Sequence, residues 1–507
     1  MKAQTESVVL DPAYRAGVIK EILTGQESLA RKDEHKKRRE VYNDRVKDYV
    51  LRMLRAEMGV DTATEMQHRA PNINITRKVV DKKARVYKDR PFRKPEEESN
   101  KENLDATVDA ISLDSLMKRV NAGVELHFNI FLQLLPFQDR ISGKWGIAPN
   151  VLDPSRYDVI EDQSNPGLPM CVITSYYRDD NGFVSDYRRA DGEESKTAEP
   201  SEAKGKEMTQ YFVWWTDSYH FTTDEKGAVV NASDDKLKNP FGGIPGVFFS
   251  KRPAQDGYWI EGGDGLVGNA LLFNLLMADM NYSAKYQSIG IGWIRGKGDL
   301  SKVNIGPSSF VRMKYEEGDP VPEIGFSNSN PALGDNMAML EQFLAVMLSA
   351  EGLEPGTVTG KADAANAQSG IQEIIQRSEP TSIIEDEQQM YKDQEPEIVR
   401  LLVRLTKKYG SLLMEKFKDT AKLPEDVDYE LTFRSPQPHI SEKERLEILA
   451  LKQASGVYST DEILEYAFPD MDAEARKAKA AEIDAKKAAE PEPIEEEPKK
   501  KEEPKDK

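Results

Sequence analysis

The spacing of apolar positions divides the chain into a helical beginning, a β-rich middle and a largely helical second half. Helical spacing runs through 14–58 and again through 104–135, where Pro136 ends it. From Trp145 the spacing changes to two, which is typical of strands. The strands predicted there cover 147–151, 157–160, 170–177 and 211–216, and one more follows the turn that begins at Gly242. The middle of the chain is therefore predicted to be an α+β domain.

Two strongly apolar helices flank a segment rich in glycine and proline. The first is predicted at 265–286 and the second at 335–350, with Asp335 as its N-cap. Between them, 293–326 has the short apolar runs and turn residues of a compact β-rich tip. Apolar side chains cover more than one face of both helices, so each helix needs packing partners on more than one side. The order of these three elements predicts a protrusion in which one helix leads away from the domain, a compact tip follows, and the second helix returns.

A long helical segment follows the second apolar helix. A break at 355–360 separates the two, and Pro380 and Pro396 must end or kink the long segment. The reason is that each proline removes a backbone donor and clashes with the preceding turn. The remaining predicted elements are a strand at 429–433, helices within 441–468 and a disordered Glu/Lys/Pro-rich tail from 490.

The segment 351–396 is strongly acidic, with ten Asp or Glu residues against three Lys or Arg. For a single copy of the chain, an ordinary solvated helix face explains this balance. The alternative is a ring in which copies of the segment face a common axis. In such a ring an acidic lining would repel a polyanion, while Lys361 would offer it a weak and renewable contact.

Composition narrows the classes of protein that fit. The 507 residues allow two to four domains or subdomains, and the net charge of −18 argues against a general duplex binder. A single cysteine, Cys171, excludes internal disulfides, and its apolar strand predicts a buried, unreactive thiol. No run approaches the ~18 apolar residues of a membrane span, and no signal peptide is recognisable. We therefore expect a soluble protein made inside the cell.

No catalytic or cofactor site stands out. The nearest phosphate-loop candidate, 356–362, has three residues between its glycines where four are needed. It also has Ala362 where a magnesium-binding Ser or Thr is required. The five histidines are scattered and show no metal-ligand spacing. We expect no enzyme activity, no cofactor and no metal; a nucleotide-dependent enzyme would instead lose its turnover when Lys361 is replaced.

Two basic stretches, 31–55 and 77–94, leave an alternative function open. Either can contact nucleic acid, but neither interleaves the aromatic residues of a single-strand platform. A solvated helix face is the simpler interpretation of both. The alternative is a nucleic-acid-binding scaffold or adaptor protein that uses these basic N-terminal helices.

The order of elements, together with several short runs, resembles the portal proteins of tailed bacteriophages over roughly residues 70–475. The matching runs are Ile75-Thr-Arg-Lys-Val-Val-Asp81 with Arg90-Pro91, Val151-Leu-Asp-Pro-Ser-Arg-Tyr-Asp-Val-Ile160, Gly243-Ile-Pro-Gly-Val-Phe-Phe249, Ala367-Gln-Ser-Gly-Ile-Gln372, Ser441-Glu-Lys-Glu-Arg-Leu-Glu447, Gly456-Val-Tyr-Ser-Thr460 and Phe468-Pro-Asp-Met-Asp-Ala-Glu474. Each run is short, and the resemblance depends on their order and spacing.

The resemblance implies a portal-like ring subunit of the α+β class, with an α/β wing, a two-helix stem, a β-rich clip, a long kinked helix and a helical C-terminal crown. The implied layout is a wing at 1–260 with a return strand at 410–435, stem helices at 261–290 and 331–352, a clip at 291–330, a tunnel loop at 353–366, the long kinked helix at 367–409, a crown at 436–480 and a disordered tail at 481–507.

The resemblance also implies a function and a location. Portal proteins form a ring, usually of twelve copies, at one vertex of the capsid in the virion, after synthesis in the host cytoplasm. Double-stranded DNA passes through the ring without sequence specificity during packaging and ejection. The large terminase and later the neck or adaptor proteins dock on the clip, and major capsid or scaffold protein contacts the wing; no membrane takes part.

The resemblance suggests two sets of functional residues in this chain. The tunnel-loop candidates are Thr357, Val358, Thr359, Lys361 and Asp363, and the candidates for terminase docking on the clip are Arg295, Lys297, Asp299 and Lys302.

Overall fold

A computed structural model of the chain describes residues 6–179, 184–185, 208–232, 234–252, 257–289, 291–295, 323–327, 333–353, 370–433, 460, 464 and 476–483. The chain divides into two units, Met1–Arg434 and Ser435–Lys507. In the second unit, 476–483 is helical, and Leu464 and Ala480 are buried. All elements named next belong to the first unit.

The first unit begins with helices, continues through a β-rich centre and ends largely in helices. The described α-helices are α1 (Pro12–Thr24), α2 (Gln26–Tyr42), α3 (Val46–Met58), α4 (Val60–Met66), α5 (Ile75–Lys83), α6 (Lys101–Ala110), α7 (Leu113–His127), α8 (Asp264–Ile289), α9 (Leu333–Ala350) and α10 (Gly370–Tyr409). The described strands are β1 (Phe92–Pro95), β2 (Asn129–Gln138), β3 (Trp145–Leu152), β4 (Tyr157–Asp162), β5 (Asn165–Asp179), β6 (Val184–Ser185), β7 (Met208–Trp215), β8 (His220–Thr223), β9 (Val229–Ala232), β10 (Gly246–Ser250), β11 (Ile291–Arg295), β12 (Glu323–Ser327) and β13 (Tyr429–Thr432). Among these described helices, none is long and apolar enough to cross a membrane.

Two antiparallel sheets form the β-rich centre. One has the strand order β10-β2-β3, and the larger follows β4-β5-β7-β8-β9, with β6 paired to β5. The larger sheet packs against α1, where Ile19 and Ile22 share a core with Trp214 and Phe221. Cys171 lies in the same core, and burial raises the pKa of its thiol, so the prediction of a buried thiol is confirmed. The predicted α+β class is confirmed as well.

The predicted helix at 104–135 is wrong over its last quarter, residues 128–135. Helix α7 ends at His127. The next residue, Phe128, has a φ of 66°, which is incompatible with a continuing helix, and β2 begins at Asn129. The run from Ile130 to Leu134 is buried on both faces, and such a run has no alternation that would distinguish a strand from a helix. Pro136 lies inside β2, not at a helix end. It is tolerated there because β10 pairs with β2 only as far as Gln133, which leaves that edge open.

The predicted helical stretch at 14–58 is three helices. A break at Gly25 separates α1 from α2, and a turn containing Asp44, with φ of 68°, separates α2 from α3. The apolar spacing continues across both breaks, which is why the sequence pattern shows them weakly.

The sequence predicted that Pro380 and Pro396 end or kink this segment. Helix α10 runs through both prolines, so neither ends it, and the kink stays a prediction. Each proline lacks one backbone donor. After Pro396, however, Ile398, Leu402 and Leu405 are fully buried at helical spacing in the largest core. Packing along this face compensates for the missing hydrogen bond and keeps the helical path.

The return strand predicted at 429–433 is confirmed as β13. It pairs antiparallel with β1, from Phe92 opposite Thr432 to Pro95 opposite Tyr429. A strand near the end of the first unit, β13, therefore pairs with β1, which lies in its N-terminal quarter.

Candidate functional site

Helices α8 and α9 pack against each other and lead into a paired strand on each side of the predicted tip. Strands β11 and β12 pair antiparallel, from Ile291 opposite Ser327 to Arg295 opposite Glu323. Helix α9 begins two residues before the predicted N-cap, so Asp335 lies in its first turn, where a carboxylate favours the helix dipole. The start of α8 and the end of α9 share a core with α5, made of Leu266, Ala270, Phe273, Leu340, Met347, Leu348, Ile75, Val79 and Val80.

A second apolar face of α8 is covered by the chain itself. Val267, Leu271, Leu275 and Ala278 pack against α3 and α4. The sequence pattern required packing partners on more than one side of α8, and on this face the chain itself supplies them. Asn274, which interrupts the apolar pattern, is fully buried because its side chain bonds both backbone groups of Ile73, at 2.9 Å each.

Helix α9 keeps an apolar face that the described residues leave open. Met339 is 53% exposed and Val346 is 63% exposed, and the two lie seven residues apart on one side of the helix. Leu340 and Met347, one position further along, are buried against α5 and α8. Isolated apolar side chains on a surface are ordinary. Met339 and Val346 instead share one side of a helix that is buried on another side, which gives α9 a second apolar face.

A stripe of polar residues runs along the buried side of α10, one helical turn apart, at Glu387, Tyr391 and Glu395. Glu395 is fully buried and accepts hydrogen bonds from Arg93 Nε at 2.6 Å, Tyr87 Oη at 2.5 Å and Tyr429 Oη at 3.0 Å. One turn earlier, the hydroxyl of Tyr391 accepts from Asn121 Nδ2 of α7 at 2.9 Å.

At the start of the stripe, Glu387 belongs to a cluster of five charged side chains. Glu125 Oε2 on α7 accepts from Lys251 Nζ at 2.6 Å, and Lys251 Nζ also lies 3.9 Å from Glu387 Oε1. Lys83 Nζ at the end of α5 lies 3.0 Å from Glu351 Oε2 and 3.8 Å from Glu125 Oε2. Glu351 immediately follows α9. The cluster therefore joins α5, α7, the residue after β10, the end of α9 and the middle of α10.

These contacts change the interpretation of the acidic segment 351–396. Glu351, Glu387 and Glu395 are three of its ten acidic residues, and each is engaged within the chain. They are therefore unsuited to lining a tunnel. Sequence charge alone missed this because burial is not visible in a count of acids.

A buried histidine pair lies where α2 and α7 meet. His35 Nδ1 is 3.0 Å from His127 Nδ1, and Arg39 Nη1 donates to Asp153 Oδ2 at 2.6 Å beside them. Burial lowers the pKa of His35 to about 2 and that of His127 to about 4, so both rings are neutral at pH 7. One neutral imidazole must then donate an N–H hydrogen bond to the unprotonated nitrogen of the other. Arg38 Nη2 donates to Gly262 O at 2.7 Å, which ties the junction to the residues before α8.

The basic stretches behind the alternative function are largely engaged in internal contacts. Arg31 and Lys32 pair with Asp158, and Arg38 is buried. Further ion pairs join Arg39 to Asp153, Arg77 to Asp44, Lys83 to Glu351, Arg90 to Asp114 and Arg93 to Glu395. Nucleic acid would have to compete with these carboxylates, which weakens the scaffold or adaptor interpretation.

The predicted site residues lie mainly outside the described part of the chain. This holds for Thr357, Val358, Thr359, Lys361 and Asp363 of the tunnel loop and for Lys297, Asp299 and Lys302 of the clip. The backbone of Arg295 ends β11, and its side chain is outside the described residues. Their roles therefore stay predictions.

A surface cavity of about 380 Å³ has Glu6, Asp217 and Arg404 among the residues of its wall. Two of its carboxylates already accept backbone hydrogen bonds, Glu6 from Ser218 N at 3.0 Å and Asp217 from Ile244 N at 3.3 Å. Within the described ranges, no group of three or more His, Cys, Asp or Glu residues is placed to hold a metal ion.

No family model and no curated protein matches the sequence. Among solved structures, the chain is similar to a chain in the neck of an empty gene transfer agent (GTA) particle computed with C6 symmetry. The TM-score is 0.35 at 12% identity, over 80% of this chain and 92% of the other. A similarity of this size assigns neither a fold family nor a function to the chain.

Proposed function

We propose that the chain is the subunit of a portal-like ring, a head-to-tail connector of a tailed phage-like particle. In this proposal the ring conducts double-stranded DNA and serves as a docking platform, and the chain performs no chemistry of its own. Two kinds of observation support it: the ordered runs that resemble portal proteins, and the order helix, strand, strand and helix from α8 to α9, in which β11 and β12 pair with each other.

The open apolar face of α9 is the observation that carries the proposal. A subunit of a closed ring contacts its two neighbours through different surfaces. A helix that is buried within its own chain on one side and meets a neighbour on another needs apolar residues on both. Leu340 and Met347 serve the first contact, and Met339 and Val346 are proposed to serve the second.

The proposed mechanism is electrostatic. An acidic tunnel repels the phosphate backbone and lets the duplex slide, whereas a basic tunnel would bind it tightly. The lining is assigned to acidic residues of 351–396 other than the three engaged within the chain, and Lys361 is assigned a weak contact with phosphate. Twelve copies, terminase and neck proteins on the clip, and capsid or scaffold protein on the wing are taken from the resemblance.

Ring formation is tested first, on the purified full-length chain, by mass photometry and negative-stain electron microscopy. We expect rings with a central opening for the wild type and mainly single chains for Met339→Glu and Val346→Glu, because a buried carboxylate at the contact is costly. Ile141→Glu is the matched control, since Ile141 is 97% exposed in the loop between β2 and β3. A wild-type protein that stays monomeric at all concentrations, or forms a ring without an opening, contradicts the proposal.

Passage of DNA is tested in particles that carry a variant subunit. Lys361→Ala, or an insertion within 353–366, is expected to leave ring assembly intact and to impair packaging or retention of DNA. Lys118→Ala, at an exposed position of α7, is the control for loss of one positive charge. Packaged DNA of normal length and yield in the Lys361 variant would contradict the tunnel-loop assignment.

Docking is tested with Arg295, Lys297 and Lys302 each replaced by alanine. Rings of these variants are expected to bind the large terminase less tightly than wild-type rings. Unchanged binding would place the docking surface elsewhere. The scaffold alternative makes a different prediction: unassembled chains should bind duplex DNA with a strong dependence on salt.

A further inference from the structure

The five-residue cluster around Glu125 has an unusual composition for a buried site: three carboxylates and two ammonium groups. Glu125 has a side chain that is 1% exposed, and Glu387 on α10 is 11% exposed. Two neighbouring carboxylates with so little access to water cannot both be ionised at low cost, because like charges in a low-dielectric site repel. With one proton retained, the cluster holds two positive and two negative charges and is neutral.

The hydrogen bonds of Glu125 indicate where that proton lies. Its Oε2 accepts from Lys251, whereas its Oε1 is buried and has no donor partner among the described residues. Lys251 Nζ is 2.6 Å from Glu125 Oε2 and 3.9 Å from Glu387 Oε1, so the two carboxylates are neighbours around one ammonium group. A proton on Glu387 directed at Glu125 satisfies the buried oxygen.

The surroundings of the two carboxylates support this assignment. Burial, and then the hydrogen bond and charge of Glu125, raise the pKa of Glu387 to about 8. Burial alone would raise the pKa of Glu125, but the hydrogen bond from Glu387 and the charges of Lys251 and Lys83 outweigh burial and lower it. Tyr391 is the other titratable group that faces the pair, and its raised pKa keeps it neutral.

The cluster also lies at a junction. Glu351 is the residue after α9, and Glu387 is on α10. Lys83 belongs to α5, Glu125 belongs to α7 and Lys251 directly follows β10, and we call these three elements the body. In the sequence, 354–369 connects α9 to α10, so the cluster joins the two helices on either side of that connection.

We propose that these five side chains form a proton-dependent clamp that fixes the end of α9 to α10 and to the body while one proton is shared between Glu125 and Glu387. When the proton passes to solvent, the cluster gains an uncompensated negative charge. Lys83 and Lys251 are then drawn to the two ionised carboxylates, and the contact of Lys83 with Glu351 is the one that weakens. The clamp does not depend on the proposed function, because it is a property of a single chain.

The first test measures hydrogen exchange of the full-length chain at pH 6.5 and pH 9, in peptides that cover 347–353. Wild type is compared with Glu387→Gln, which carries a permanent donor, at the same pH, so that the chemical exchange rate cancels. We expect equal exchange at pH 6.5. At pH 9, above the pKa of Glu387, we expect severalfold faster exchange in wild type than in Glu387→Gln. Glu397→Gln, at an exposed position of the same helix, is the control and should behave as wild type.

The second test detects the proton directly and does not require any variant to match the wild-type fold. The infrared band of a protonated carboxyl group should be present in wild type at pH 7 and disappear as the pH is raised through about 8. It should be missing at pH 7 from Glu387→Gln and from Glu125→Gln, and retained in Glu397→Gln. Absence of the band from wild type at pH 7, or exchange at 347–353 that is the same in wild type and Glu387→Gln at both pH values, overturns the proposal.

Discussion

Replacing Glu395 by alanine is expected to open the pairing between β1 and β13. The substitution leaves Arg93, whose side chain is 3% exposed, without its buried partner, and leaves the hydroxyls of Tyr87 and Tyr429 without an acceptor. Breaking a buried ion pair by removing one member costs about 3–5 kcal/mol. Asp114, 2.8 Å from Arg93 Nη2, offsets part of that cost, so we expect about 4 kcal/mol.

Native-state hydrogen exchange measures this cost locally. Protection of the amides of β1 and β13 should fall by about a thousandfold, since every 1.4 kcal/mol corresponds to a factor of ten. Glu397→Ala is the matched control, two residues away on α10. Its ion pair with Arg400 lies at the surface, with Glu397 51% exposed, so it should cost less than about 1 kcal/mol.

A double replacement separates the ion pair from simple packing. Arg93→Met with Glu395→Met removes both charges and fills most of the space, so it should be more stable than Glu395→Ala by at least about 1 kcal/mol. If the amides of β1 and β13 are equally protected in Glu395→Ala and Glu397→Ala, the ion pair between Arg93 and Glu395 does not stabilise this ladder, and the reasoning is refuted.

Three further predictions follow from buried groups and close contacts. Burial lowers the pKa of His127 to about 4, so the stability that the neutral ring contributes is complete above pH 6.5 and is lost as the pH falls towards 4. Urea titrations should show that the free energy of unfolding of wild type falls by about 3 kcal/mol over this range. In His127→Asn it should depend less on pH. The thiol of Cys171 should be inert to a disulfide reagent in the native protein and react once urea unfolds it, since burial raises its pKa. Gly246→Ala should lower the free energy of unfolding by about 1–3 kcal/mol, as measured by urea titration, because the new methyl group would overlap the ring of Phe131. Gly265→Ala, with open space at its Cβ, should not lower it.

The sequence pattern predicted elements well where periodicity was strong and turn residues were clear. Strands β3, β4, β5 and β7 and the two apolar helices α8 and α9 lie where the pattern placed them. It was wrong at β2, because a strand buried on both faces has no alternation to detect. It also left open whether the prolines end α10 or kink it, since a local rule gives no measure of the core that holds the helix after Pro396.

The buried polar stripe of α10 has a signature in the sequence. Tyr391, Glu395, Ile398, Leu402 and Leu405 follow one another at intervals of three and four residues, so a glutamate occupies a position on the apolar face. A charged residue in that position indicates a buried partner. Which partner it has depends on β1, far away in the sequence, and no local pattern can supply that.

The distance along the chain between the members of this ion pair has a consequence for biosynthesis. Arg93 and Glu395 are 302 residues apart, so a growing chain presents the edge of β1, and an Arg93 without its buried partner Glu395, until nearly all of its first unit has left the ribosome. A polypeptide that stops early cannot close the β1–β13 ladder. Completion of that ladder thus acts as a check on length, and prematurely terminated products would be kept out of any assembly that requires the closed subunit.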